Sequence, residues 1–155
     1  MKFPWKQFLL FLLLNFGALA LGSWLMGDPA TNEWYQRSDK APWTPPGWMF
    51  GAAWFTIMAL FALFMAFVLG KSRDKKKWII LYSAQWILNV SWNPLFFQLH
   101  MSFTGMIVLI VLLIILAAMF TRSLKIARPV SLLLIPYMLW MCVAISMDAY
   151  LWYMN

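Results

Sequence analysis

The sequence predicts an all-α integral membrane protein: a bundle of five transmembrane helices with a long aromatic, Pro-rich lid loop between helices 1 and 2. Three observations lead there. Of the 155 residues, 64% are hydrophobic and only 11% are charged, against about 25% charged in a typical soluble domain. Five unbroken apolar runs each reach the ~20 residues that a helix needs to cross a ~30 Å hydrocarbon core. The remaining charges sit almost wholly between those runs. A soluble core could not hide this much apolar surface, because a ~150-residue domain leaves about 30% of its unfolded surface in water. Disorder requires the opposite composition. A membrane β-barrel requires alternating rather than continuous apolar segments.

Residues 1–155 read as a single membrane domain, with helices at about 8–26, 47–70, 78–99, 101–121 and 129–152 and the lid loop at 28–46. The first run follows Lys2 and Lys6. Its Ala18-Leu19-Ala20 resembles the cleavage site of a signal peptide, but the run continues to Met26, long enough to span, and is read as a span. The second run opens after Pro45-Pro46 and stops at the basic loop from Lys71 to Lys77. The third ends after Pro94, and His100 marks a tight turn into the fourth. The fourth stops at the basic loop from Arg122 to Arg128. Pro129 suits a first helical turn for the fifth run, whose one formal charge is Asp148.

With five spans, Lys2, Lys6, Lys71, Arg73, Lys75, Lys76, Lys77, Arg122, Lys125 and Arg128 share one side, and only Arg37 and Lys40 lie on the other. This asymmetry places the N-terminus in the cytoplasm and the C-terminus outside. It also accounts for the net charge of +7. The basic loops read as topology signals that touch anionic lipid. They do not read as a nucleic-acid surface, because no aromatic residues interleave them.

The candidate chemistry is aromatic. Eleven tryptophans exceed what two interfacial belts require. The loop from Glu33 to Trp48 carries three of them, Trp34, Trp43 and Trp48, among stiffening prolines and reads either as a lid folded onto the bundle or as an interfacial belt. On the third helix Gln85, Asn89 and Asn93 are four apart and share a face. That face points into the bundle, for interhelical hydrogen bonds or for a ligand, with Asn15 as a further partner. Phe50, Trp54, Met58 and Phe61 form a stripe on the second helix, and Tyr137, Trp140, Ala144 and Met147 form one on the fifth. Such stripes serve plain packing, or two of them under an aromatic lid enclose a mostly apolar pocket. Small Ala144 beside Trp140 leaves room for something flat. Asp148 reads as reaching the membrane interface, or as pairing with Arg37 or Lys40. His100 is the only histidine and Cys142 the only cysteine, so no metal cluster and no internal disulfide is expected. Nothing near His100 completes a nucleophilic triad, and no glycine loop cradles phosphate.

Three blocks of sequence carry a resemblance. Trp34-Tyr35, Lys40, Pro42-Trp43-Thr44-Pro45-Pro46-Gly47 and Trp54 form the first, Leu88-Asn89-Val90-Ser91-Trp92-Asn93-Pro94-Leu95-Phe96-Phe97 the second, and Ile135-Pro136-Tyr137-Met138-Leu139-Trp140 with Ala144 the third. In this order they resemble the translocator protein family, the tryptophan-rich sensory proteins of bacteria, also called the peripheral-type benzodiazepine receptor family. The likeness runs from about residue 8 to the end.

The resemblance implies a five-helix bundle, a homodimer, and a pocket under the first loop that takes porphyrin-like tetrapyrroles such as protoporphyrin IX, with no cofactor required. By position the ligand-binding residues are Trp34, Tyr35, Pro45, Phe50, Trp54, Asn89, Trp92, Trp140, Ala144 and Met147. Trp54 and Trp140 match the family tryptophans tied to porphyrin handling, and so are the candidate catalytic residues. The departures are specific. Ala41 separates Lys40 from Pro42, Ser38 stands where leucine is common, and Met147-Asp148 replaces a Leu-Asn pair. No basic residue follows Tyr150 or Tyr153, which argues against cholesterol as a natural ligand. The leading expectation is therefore a porphyrin-binding or porphyrin-transporting membrane protein. One alternative is light- and oxygen-dependent porphyrin breakdown at the pocket tryptophans. Another is a regulatory protein that signals ligand occupancy through its basic loops.

Overall fold

The computed structural model describes residues 3–155; Lys2, counted above on the basic side, lies outside them. The described chain is all-helical: α1 (Trp5–Met26), α2 (Glu33–Arg37), α3 (Gly47–Lys71), α4 (Lys75–Phe97), α5 (Ser102–Ser123), α6 (Arg128–Ser131), a 3-10 turn (Leu132–Leu134) and α7 (Ile135–Met154).

Local chemistry sets these limits. Pro4 precedes α1, and Gly27 ends it with φ 73, a left-handed conformation that suits glycine, while its N–H donates to Ser23 O. Pro46 leads into α3. Asp74 caps α4 by accepting the Lys77 N–H, so this helix starts at Lys75 rather than at residue 78. Pro94 lies inside α4 and leaves the Val90 carbonyl without its helical donor. The Asn93 side chain fills the gap, since its Nδ2 donates to Val90 O at 3.3 Å and to Asn89 O at 3.1 Å. The last apolar run is not one uniform helix. Its 3-10 turn falls just before Pro136, whose missing N–H interrupts the α-helical ladder.

Four stretches are long and apolar enough to cross a membrane: Trp5–Met26, Gly47–Lys71, Ser102–Ser123 and Arg128–Met154. They make this a multi-pass integral membrane protein. The expected fifth, α4, matches them in length with 23 residues. It is less apolar because three lysines open it and Gln85, Asn89 and Asn93 run along it.

The long helices form a ring. α1 packs on α3 and α4, α5 packs on α4 and α7, and α7 with the turns before it closes on α3. The closure runs mainly through α6 and the 3-10 turn, at the Lys71 end of α3. There the core is solid: Phe61, Phe64, Met65, Leu112, Leu116, Met119, Leu134 and Met141 are fully buried. In lipid, packing and interhelical hydrogen bonds hold such a core, because the apolar solvent offers no hydrophobic gain. Towards Gly47 and Met154 the bundle is hollow.

Candidate functional site

The hollow end holds a cavity of about 890 Å³, inside the usual range for small-molecule pockets. Its walls come from α1, α3, α4 and α7, with Leu109 from α5, and part of the segment 28–46 lies over them. That segment is fastened at several points. Asn32 does two things at once: its Oδ1 accepts the Tyr35 N–H at 3.0 Å, capping α2, and its Nδ2 donates to Phe97 O at 2.8 Å. Trp43 Nε1 donates to Ser146 Oγ at 3.0 Å, and the Asp39 N–H donates to Asn155 Oδ1 at 3.0 Å. Gln98 Nε2 reaches Met26 O at 2.7 Å and ties the ends of α1 and α4.

The two aromatic stripes meet. The Phe50 and Trp140 rings lie 5.5 Å apart at 81°, and the Trp54 and Tyr137 rings 5.8 Å apart at 75°. Both are edge-to-face pairs. Both indoles also line the cavity. Lower in these stripes, Met58 and Phe61 are buried in the core.

Of the ten residues expected to bind ligand, nine line this cavity: Tyr35, Pro45, Phe50, Trp54, Asn89, Trp92, Trp140, Ala144 and Met147. Trp34 does not. Its ring stacks on His100 at 4.6 Å and 17° and meets Phe96 edge-on at 5.4 Å. It lines a shallow depression on the outside with Glu33, Arg37 and His100. The cause is local: neighbours on a helix point about 100° apart, so α2 sends Tyr35 inward and Trp34 outward. His100 itself sits at φ 55 in the turn between α4 and α5.

The polar row on α4 is partly absorbed by the helices. Gln85 and Asn89 both donate to Tyr137 OH at 2.8 Å. Asn15 does not join that row: its Nδ2 donates to Met58 O at 2.9 Å, and its Oδ1 accepts from Tyr82 OH at 2.7 Å. Asn93 lines the cavity and sits against Gly22, where an added Cβ would lie 2.7 Å from its Nδ2. Glycine at this position lets α1 approach α4.

Asp148 is placed differently from both expectations. It is buried rather than open to the surface, with 4% exposure, and among the described residues it pairs with no cation; it lines the cavity, and its Oδ2 accepts from Trp92 Nε1 at 2.9 Å. Arg37 turns away and pairs with Glu33 at 3.2 Å, both side chains being about 80% exposed. Lys40 does line the cavity; its Nζ donates to Gln36 O at 3.3 Å and sits 4.6 Å over the Tyr35 ring. Burial first, and the Asp148 carboxylate second, push the Tyr35 phenol above its usual pKa, so it remains a neutral donor. Gly22, Thr44, Met141 and Leu151 also line the cavity, unforeseen from the sequence. Their side chains carry no signal of a site, and only the assembled ring places them on the wall.

Residues 9–154 match the TspO/MBR family. The chain is 30% identical to "Protein CrtK" of Rhodobacter capsulatus over 79% of this chain and 78% of that protein. It is 28% identical to a "Tryptophan-rich sensory protein" of Cereibacter sphaeroides over 96% and 90% of the two chains. It is likewise 28% identical to a "Translocator protein" of Bos taurus, over 98% and 92%.

Proposed function

This chain belongs to the TspO/MBR family, and we propose that it binds a porphyrin-like tetrapyrrole such as protoporphyrin IX in the cavity between α3 and α7. The observation that carries this reading is the cavity itself: about 890 Å³ with Phe50, Trp54, Trp92 and Trp140 on its walls. A flat π-system gains offset or edge contacts with such rings. A propionate at the mouth would find the Lys40 ammonium. In this reading α4 is a fifth span. Its 23 residues rise about 35 Å, and the side-chain N–H groups of Gln85, Asn89 and Asn93 donate to partners within the bundle. The segment 28–46 acts as a lid over the mouth. The ten-to-two division of basic residues then puts the N-terminus in the cytoplasm and the lid outside.

The test is a dark titration of the protein in detergent with protoporphyrin IX, following tryptophan quenching and the porphyrin absorption band. Saturable binding that weakens about tenfold in Trp54→Phe/Trp140→Phe supports the reading. Non-saturating uptake, or the same curve in the variant, contradicts it. A second reading, breakdown of the bound porphyrin by light and oxygen, draws on the two indoles at the cavity wall. Illuminating the saturated complex tests it: loss of the porphyrin band that requires both oxygen and Trp54 or Trp140 supports turnover, and a stable band supports binding alone.

A further inference from the structure

The carboxylate of Asp148 is the feature of this cavity that an apolar, flat ligand does not use. It stands on α7, 4% exposed. Trp92 from α4 donates to its Oδ2. Gly105 from α5 lies close behind, and an added Cβ there would sit 3.5 Å from Oδ2 and 3.3 Å from the Trp92 Nε1. So the protein seats one oxygen closely. The other, Oδ1, has no hydrogen-bond partner among the described residues and is not sealed in by protein atoms, and the residue lines the cavity. Among the described residues no cation lies within ion-pair distance of it. Lys40, the one basic residue on the cavity wall among the described residues, is held at Gln36 O and over the Tyr35 ring. Asp28 also lines the cavity but is exposed at its mouth.

A carboxylate removed from water with one neutral donor lacks compensation, and a cationic N–H supplies it with a charge-assisted hydrogen bond. We propose that Asp148 makes the cavity selective for ligands that carry a protonated amine on a flat aromatic frame. Aromatic walls take the frame, and Oδ1 takes the ammonium or amidinium group. A ligand with carboxylates is turned so that they face away from Asp148, towards Lys40. The inference rests on the cavity being a ligand site, not on the ligand being a tetrapyrrole.

A matched pair of dyes tests it: 9-aminoacridine, cationic near neutral pH, and acridine, neutral there, titrated into the protein in an uncharged detergent. The wild type should bind the amine about tenfold more tightly or better. Asp148→Asn should bring the two dyes within about twofold with acridine binding retained, and Asp28→Asn should keep the preference. On the wild type alone, labelling of Asp148 by dicyclohexylcarbodiimide, read by peptide mass spectrometry, should slow several-fold with 9-aminoacridine and not with acridine. Equal affinity in the wild type, a preference that survives Asp148→Asn or vanishes in Asp28→Asn, or labelling that the amine leaves unchanged overturns the proposal. If neither dye binds saturably, the cavity fails as a ligand site and the proposal fails with it. Equal binding of both removes the amine preference alone.

Discussion

The Trp92 indole donates to the Asp148 carboxylate at 2.9 Å across 56 positions of sequence, joining α4 to α7 beside the cavity. A buried acceptor that loses its one donor costs about 1–3 kcal/mol. Trp92→Phe should therefore lower the unfolding midpoint in detergent by several degrees. Asp148→Asn keeps an acceptor for the indole and should cost less. Combining the two should recover part of the Trp92→Phe loss, because an amide without the indole is easier to bury than a carboxylate. A double-mutant cycle on the midpoints reads this coupling; strict additivity would show that the bond contributes nothing.

Tyr137 OH accepts from both Gln85 and Asn89, whereas Tyr82 OH serves Asn15 alone. Tyr137→Phe strands two buried donors and Tyr82→Phe strands one acceptor. The first should destabilise by about 1–3 kcal/mol and the second by less. Thermal unfolding of the two variants side by side checks the order.

The segment 28–46 hangs on Asn32, which caps α2 and grips Phe97 O. Asn32→Ala should cost about 1 kcal/mol, localised to that segment. Limited proteolysis should then cut between residues 28 and 46 several-fold faster while the helices stay intact. Unchanged cleavage would mean that Trp43 and Asp39 hold the segment without it.

Ala144 lines the cavity across from the α3 aromatics. Ala144→Phe should fill space that a flat ligand needs. Protoporphyrin affinity should fall at least about tenfold, with an unfolding midpoint close to wild type because the added ring enters a void rather than the packed core. A parallel titration and melt separate loss of binding from loss of fold.

Much of this was legible in the sequence, for reasons that can be named. Length and apolarity mark the spans, since a bilayer tolerates few alternatives. A four-residue spacing put Gln85 and Asn89 on one inward face, because a helix repeats its direction at that interval. The stripes holding Phe50, Trp54, Tyr137 and Trp140 pointed at each other for the same reason. What stayed hidden depends on contacts between distant segments. The partner of Asp148 is set by which helix lies beside α7, and nothing local to residue 148 says that it is α4. The fate of Trp34 turned on one step around the short α2, which the loop's composition does not encode. Arg37 was legible in principle: Glu33 stands four residues before it, the spacing of a helical ion pair, once α2 is known to be helical.

Every porphyrin-binding prediction above turns on a tetrapyrrole sitting in the space between α3 and α7. The most direct measurement is an experimental structure of the protein saturated with protoporphyrin IX in the dark. Porphyrin density is expected inside the cavity, against Trp54 and Trp140 and beneath the segment that Asn32 anchors. Density confined to the lipid-facing surface, with the cavity unchanged at saturation, would contradict it.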